Sequence, residues 1–228
     1  MIRVLAICAG RCAPLRAWTD ADTIKPRAAT QAAVSDSIAD VTAITPGTTA
    51  NTPLSAIAKH ALSTLEAPAP VEVRAFGIAG DEQADRVRHG GPRQAVYVYP
   101  AEHYAFWQTV RMQARQAQVL APGALGENLL IEGLLEKQAW IGDRLQIGEL
   151  ILRVESPRSP CFKLDIRLGF SWASKMMVQS GFTGFYCSVE RQGRITAGDE
   201  VSVRPGDRIT SIEQAHRLNH RSRQPGLF

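Results

Sequence analysis

Leu145 and Ile147, a turn at Gly148, then Leu150, Leu152 and Val154 place apolar residues at every second position, and two prolines, Pro157 and Pro160, close the pattern. Successive side chains on a strand point to opposite faces, so two short alternating runs joined at a glycine read as a half-buried hairpin. Similar short runs recur along the chain: Ile2 to Ala9 before Gly10, Val71 to Phe76, Gln94 to Tyr99, Leu129-Leu130-Ile131, Phe185 to Val189, Arg194 to Ile195 and Val201 to Val203. Gly193, Gly198 and Gly206 punctuate the last of them. The pattern predicts a mainly β fold, a curled or barrel-like sheet with a few peripheral helices. One helix is expected to start at Pro100 with Glu102 in its first turn, packing Phe106, Trp107, Val110, Ala114 and Ala117 on the sheet. A second is expected to be capped by Ser171, to carry Trp172, Met176 and Met177, and to stop at Gly181.

At 228 residues and 45% apolar content the chain can bury a proper core, and one domain over residues 1–210 is the expected organisation. Between Thr19 and Thr52 the composition shifts to Ala, Thr, Ser and Asp, so residues 19–52 read as an insertion or mobile loop. Residues 211–228 read as a short polar C-terminal tail whose arginines and histidines suit an acidic partner. The formal charge of +4 is spread among both signs without a basic run or arginine-rich arm. That balance suits an anionic small molecule and gives no footprint for a nucleic-acid polymer. The cysteines at 8, 12, 161 and 187 match neither an iron–sulfur run nor a paired zinc knuckle, and they are few for a disulfide scaffold. Cys8 and Cys12 read as packing residues. Ile2 to Ala9 is interrupted by Arg3 and too short for a signal core, and no later run approaches membrane-spanning length. The expectation is a cytoplasmic protein with no membrane partner.

Chemistry concentrates after the hairpin, in Ser156-Pro157-Arg158-Ser159-Pro160-Cys161-Phe162-Lys163-Leu164. The prolines fix φ and remove two backbone donors, which predicts a stiff turn rather than more strand. Arg158 and Lys163 flank Cys161 and favour its thiolate, the form that ligates metals and attacks electrophiles. A lone cysteine is as readily a small buried apolar residue, and by themselves these residues leave both readings open. Two other stretches are dense in polar groups. One runs from Gly80-Asp81-Glu82-Gln83-Ala84-Asp85 through His89-Gly90-Gly91-Pro92-Arg93, where paired glycines permit close backbone approach to a ligand. The other is Glu127-Asn128, at the entry to the strand Leu129-Leu130-Ile131.

In order along the chain, Gly80-Asp81-Glu82-Gln83-Ala84-Asp85, His89-Gly90-Gly91-Pro92, Gly126-Glu127-Asn128-Leu129, Ile141-Gly142-Asp143 and Pro157 to Leu164 resemble the MOSC family, named for the C-terminal domain of molybdenum-cofactor sulfurases. The likeness runs from about Pro53 to Val203 and is greatest to the stand-alone bacterial branch that includes hydroxylaminopurine reductases. The resemblance implies a β-barrel-like domain and a mononuclear molybdenum cofactor with a pyranopterin dithiolene (molybdopterin). Cys161 matches the metal-ligating cysteine. Soft thiolate ligation suits the metal. Arg158, Lys163, Arg93, Ser55 and Lys59 are the expected partners of the pterin phosphate. Asn128 and Ser159 match positions on the metal side, Asp81 is a pocket group, and His89 is a proton donor, a pterin contact or a structural residue.

The activity implied is two-electron reduction of N-hydroxylated compounds such as hydroxylamino bases, a detoxification in which the N–O oxygen leaves as water. The chain has no iron–sulfur cysteine set and no clear dinucleotide fingerprint, so an external electron-donor reductase is implied as partner. The alternative is a molybdenum-cofactor or sulfur carrier without turnover of its own. A thiol-dependent hydrolase, with His89 as a spatial partner of Cys161, ranks third. The 19–52 insertion departs from the family pattern, and so does the tail, where Ile209 to His216 resembles the beginning of the helical extension of some members but Arg217 to Phe228 is polar, basic and soon interrupted by Pro225-Gly226.

Overall fold

The structure is a computed structural model that describes residues 1–19, 54–85, 90–116 and 118–221. All but Thr19 of the proposed insertion, together with His89 and Ala117, lies outside the described residues.

The hairpin forms as its alternation dictates. Strand β9 (Arg144–Ile147) turns at Gly148 into β10 (Leu150–Pro157), with Leu150 opposite Ile147 and Leu152 opposite Leu145. On its other edge β10 pairs with β11 (Phe185–Arg191), which pairs with β7 (Val96–Pro100). β7 runs parallel to β8 (Leu129–Glu132), and β8 is followed by β1 (Arg3–Ala9) and the edge strand β4 (His60–Thr64). With β13 (Ser202–Arg204) beside β9, the sheet holds eight strands among the described residues. β5 (Val71–Arg74), β6 (Gly77–Ile78) and β12 (Gly193–Ile195) make a second small sheet, and β2 (Ala13–Pro14) pairs with β3 (Leu54–Ser55).

The main sheet curls into a half-barrel. Register shifts between Ile7 and Cys8, between Val4 and Ala6, and twice within β10 supply bulges, which bend a strand and steepen its twist. The period of two then sorts side chains into separate cores. Val96, Val98, Leu129 and Ile131 face one cluster with Leu152 and Phe185, whereas Tyr97, Tyr99 and Leu130 face another with Trp107, Leu125 and Leu164.

Four helices lie outside the sheet among the described residues. A 3-10 turn, Ala101–His103, leads from Pro100 into α1 (Tyr104–Gln113), which buries Trp107 and Val110 as its spacing predicts. α2 (Phe162–Leu168), which the sequence reading lacked, follows Cys161 directly. Pro157 does not end the hairpin early; it is the last residue of β10 and pairs with Phe185, and the turn begins at Arg158. A proline is tolerated at a strand end because no further ladder donor is needed there. α3 (Ala173–Ser180) stops at Gly181 as expected, but Ser171 does not cap it. The carboxylate of Asp165 in α2 accepts from the Ser174 backbone N–H at 2.6 Å and from its hydroxyl at 2.9 Å, so a tertiary contact replaces the local cap. The segment read as a polar tail carries α4 (Ile212–Arg221). It is docked by fully buried Ile212 and by backbone bonds from Ile212 to Ala139 and from Glu213 to Glu136.

Candidate active site

A solvent-open cleft of ≈ 710 Å³, mouth included, lies where β10, the 54–59 segment, the turn after β6 and the start of β8 converge. Among the sequence-nominated residues it is lined by Ser55, Lys59, Asp81, Asn128, Arg158, Ser159, Cys161 and Lys163. Arg93 does not line it; its Nε donates to Glu155 Oε2 at 2.9 Å from a largely exposed side chain.

Cys161 stands in extended backbone (φ −135°, ψ 176°) at the N-cap of α2, yet its side chain makes no capping bond. The half-buried thiol is therefore left to the cleft, while its carbonyl accepts from Leu164 N at 2.9 Å. All four cysteines are free thiols, and Cys8 and Cys187 are buried in the two cores. Burial raises both of those thiols well above their ordinary range, which keeps them inert.

Asp81 is the electrostatic hub. Its Oδ1 accepts from Gly10 N at 2.8 Å and its Oδ2 from Asn128 Nδ2 at 2.8 Å, while Lys59 Nζ reaches both oxygens at 2.6 Å. The Lys59–Asp81 pair is almost wholly desolvated, with side chains 8% and 6% exposed. Separating such a pair costs far more than a surface bridge is worth, because either charge alone would be stranded in low dielectric. Gly10 has to be glycine here: a Cβ would sit 2.3 Å from the Ala58 carbonyl oxygen, closing the approach that brings its N–H to Asp81.

Asn128 is saturated. Its Oδ1 accepts from Tyr97 N at 3.0 Å, and its Nδ2 donates to Cys8 O at 3.2 Å as well as to Asp81. The preceding residue, Glu127, is fully buried, and among the described residues no cation pairs with it. Its Oε1 accepts from the Tyr104 hydroxyl and from Gly123 N, and its Oε2 from Leu125 N. Burial raises the Glu127 carboxyl above its ordinary range despite these donors. The turn held in this way presents the Leu125 carbonyl to Arg158 Nη1 at 2.5 Å.

Arg158 itself is 7% exposed, and among the described residues no carboxylate pairs with it. Its guanidinium instead lies over the ring of Tyr97, 4.8 Å from the centroid. Tyr97 and Tyr186 both line the cleft, with ring centroids 5.2 Å apart. Burial, partly offset by Arg158, pushes both phenols up, so each is a neutral hydroxyl at ordinary pH. Sequence reasoning missed these tyrosines because an aromatic at an inward strand position reads as core. Glu82, Gln83, Gln94 and Gly126 complete the polar wall. Gln83, inside a nominated motif, accepts from Gly91 N at 2.8 Å and ties that motif to the paired glycines. Among the described residues no cluster of three or more His, Cys, Asp or Glu could hold a metal ion.

The MOSC domain profile matches residues 85–202, just over half of the chain. The chain belongs to the MOSC domain family. It is 40% identical over 142 residues to the uncharacterised protein YflK of Bacillus subtilis, covering 62% of each chain. It is 36% identical over 137 residues to protein YiiM of Escherichia coli, covering 60% of each. A protein of Gibberella moniliformis named simply reductase matches at 35% over 135 residues, 59% of this chain and 24% of that one. The chain thus spans about three fifths of the length of YflK and YiiM and a quarter of the fungal protein. The crystal structure of YiiM from Geobacillus stearothermophilus has the same fold, with a TM-score of 0.65 over 99% of this chain and 87% of that one at 22% identity. No helix among the described residues is long and apolar enough to cross a membrane.

Proposed function

We propose that this protein is a molybdenum-cofactor-dependent reductase of N-hydroxylated compounds, such as hydroxylamino bases, that takes its electrons from a separate reductase. The observation that carries the reading is the pairing, in one cleft, of the Cys161 thiol with a desolvated guanidinium that no carboxylate among the described residues neutralises. Leaving a buried cation without a counter-ion is costly unless a ligand supplies the negative charge. An anionic pterin phosphate and a soft metal that accepts one thiolate meet both requirements. When bound, the cofactor would supply the redox equivalents for N–O reduction.

The chain's own residues do the rest. Arg158 and Lys163 draw the anionic ligand in, and the exposed Ser159 is placed to hydrogen-bond it. Lys59 is held by Asp81 and keeps that carboxylate neutralised, so that it does not repel an anion. Asn128 is locked by its bonds and carries orientation from Asp81 to the floor of the cleft. Because the Tyr186 hydroxyl keeps its proton, it is a donor within the cleft; His89 is the proposed proton source for the departing oxygen. The name of the fungal reductase favours an oxidoreductase reading, and the region that resembles this chain is a quarter of that longer protein.

The test is molybdenum and pterin content per chain after expression in a cofactor-competent host, for wild type and Cys161→Ala. Near-stoichiometric metal in wild type and its loss in the variant are expected, followed by reduction of N-hydroxylated bases with a supplied reductase. Equal pterin in both proteins, with no turnover, would favour a cofactor carrier.

A further inference from the structure

Tyr97 occupies an unusual place in the cleft, and the proposed chemistry leaves it without a role. Its backbone N–H donates to Asn128 Oδ1 at 3.0 Å and its carbonyl accepts from Asn128 N at 2.8 Å. Its hydroxyl donates to the Thr183 carbonyl at 2.7 Å, which fixes the ring from its far end. The face of that fixed ring carries the Arg158 guanidinium at 4.8 Å, and Tyr186 leans against its flank. Arg158 also donates to the Leu125 carbonyl. A carboxylate would hold the guanidinium more strongly but would cancel the charge that an anionic ligand needs. An aromatic face and a neutral carbonyl orient a cation while leaving its charge intact.

We infer that Tyr97 is a positioning residue: its ring, anchored through Thr183, holds Arg158 in a fixed, un-neutralised pose for an oxyanionic group entering the Cys161 cleft. The inference rests on the anionic ligand of the proposed function but not on turnover. It makes a distinction that a merely space-filling role would not. Tyr97→Phe keeps the ring face and loses the anchor, whereas Tyr97→Leu loses the face, and both leave the backbone bonds to Asn128 in place.

The test measures inorganic phosphate affinity by calorimetry on the full chain, and pterin retained per chain, for wild type, Tyr97→Phe, Tyr97→Leu, Arg158→Gln and the Tyr97→Leu/Arg158→Gln double variant. Folded fraction is followed by circular dichroism. Phosphate affinity is expected to fall about five- to thirty-fold in Tyr97→Leu, the range of a desolvated cation–π contact. Tyr97→Phe should restore most of it, and the double variant should bind no more weakly than Arg158→Gln alone. Wild-type affinity in Tyr97→Leu, additive losses in the double variant, or equal losses in Tyr97→Phe and Tyr97→Leu would overturn the positioning role. If Tyr97→Leu does not fold, Tyr97→Met takes its place in the same cycle with Arg158→Gln, with the same non-additive loss expected and wild-type affinity or additive losses overturning the role. Phosphate binding that depends on both residues, in a protein that retains no pterin, would uphold the positioning role while removing the cofactor reading.

Discussion

Asn128 in the cleft and Glu155 outside it show how much of this fold is held by single buried polar side chains. Replacing Asn128 with alanine strands the Tyr97 N–H and removes two donors from Asp81 and Cys8. The expected loss is about 2–4 kcal/mol, from the cost of leaving buried groups unpaired, and is measurable by urea unfolding. Glu155 carries a pH dependence. Burial by itself would raise its carboxyl, but donors from Ser188, Arg153 and Arg93 outweigh it and hold the group below its ordinary value of 4.5. A depressed folded pKa means that the unfolded chain takes up the proton first as the pH falls. The stabilisation is therefore complete above about pH 4.5 and is lost as pH drops through the folded value. Glu155→Gln should be less stable than wild type by about 1–3 kcal/mol at pH 7, and the gap should narrow in unfolding curves as the pH falls from 4.5 through the lowered folded value. Arg93, one of those donors, matched the pterin set by resemblance, yet its position points it at Glu155 instead. Nothing local to Pro92-Arg93-Gln94 distinguishes those two directions.

At the scale of elements, the site is a meeting of turns. The 123–127 turn is shaped around the Glu127 carboxylate and needs Gly126 in left-handed backbone, φ +86°, where a Cβ would also lie 2.8 Å from Ile57 Cγ1. Gly126→Ala should cost about 1–3 kcal/mol in thermal or urea unfolding, from the positive φ together with overpacking. Because the turn delivers the Leu125 carbonyl to Arg158, the variant should also weaken phosphate binding to the folded protein. The stiff turn read from Pro157 and Pro160 exists but is shorter than the prolines suggest, since β10 pairs through Pro157 and α2 starts at Phe162. α2 escaped prediction because seven residues are too few to show helical periodicity, and its cap on α3 comes from Asp165, six residues before Ser171.

For the whole molecule, the curled sheet brings groups from residues 55 to 186 into one cleft, and α4 packs against β10 with His216 and His220 beside Pro157 and Arg158, at the same end of the strand as the cleft. Ile212 is fully buried, and Ile212→Ala should lower stability by about 2–4 kcal/mol in urea unfolding, which a detached polar tail would not produce. The sequence by itself determined the strand pattern, the hairpin that delivers Cys161, the helix that buries Trp107 and the ordered motifs of the MOSC family, because these depend on local alternation, turn chemistry and residue type. It also nominated most of the cleft. Only the tertiary structure decided which of those residues meet. Lys59 pairs with Asp81, Arg93 turns away, and an unremarkable strand tyrosine lies under Arg158. Such partnerships join residues 22 to 62 positions apart, and they follow from sheet register and burial, for which a linear pattern of side chains carries no signal.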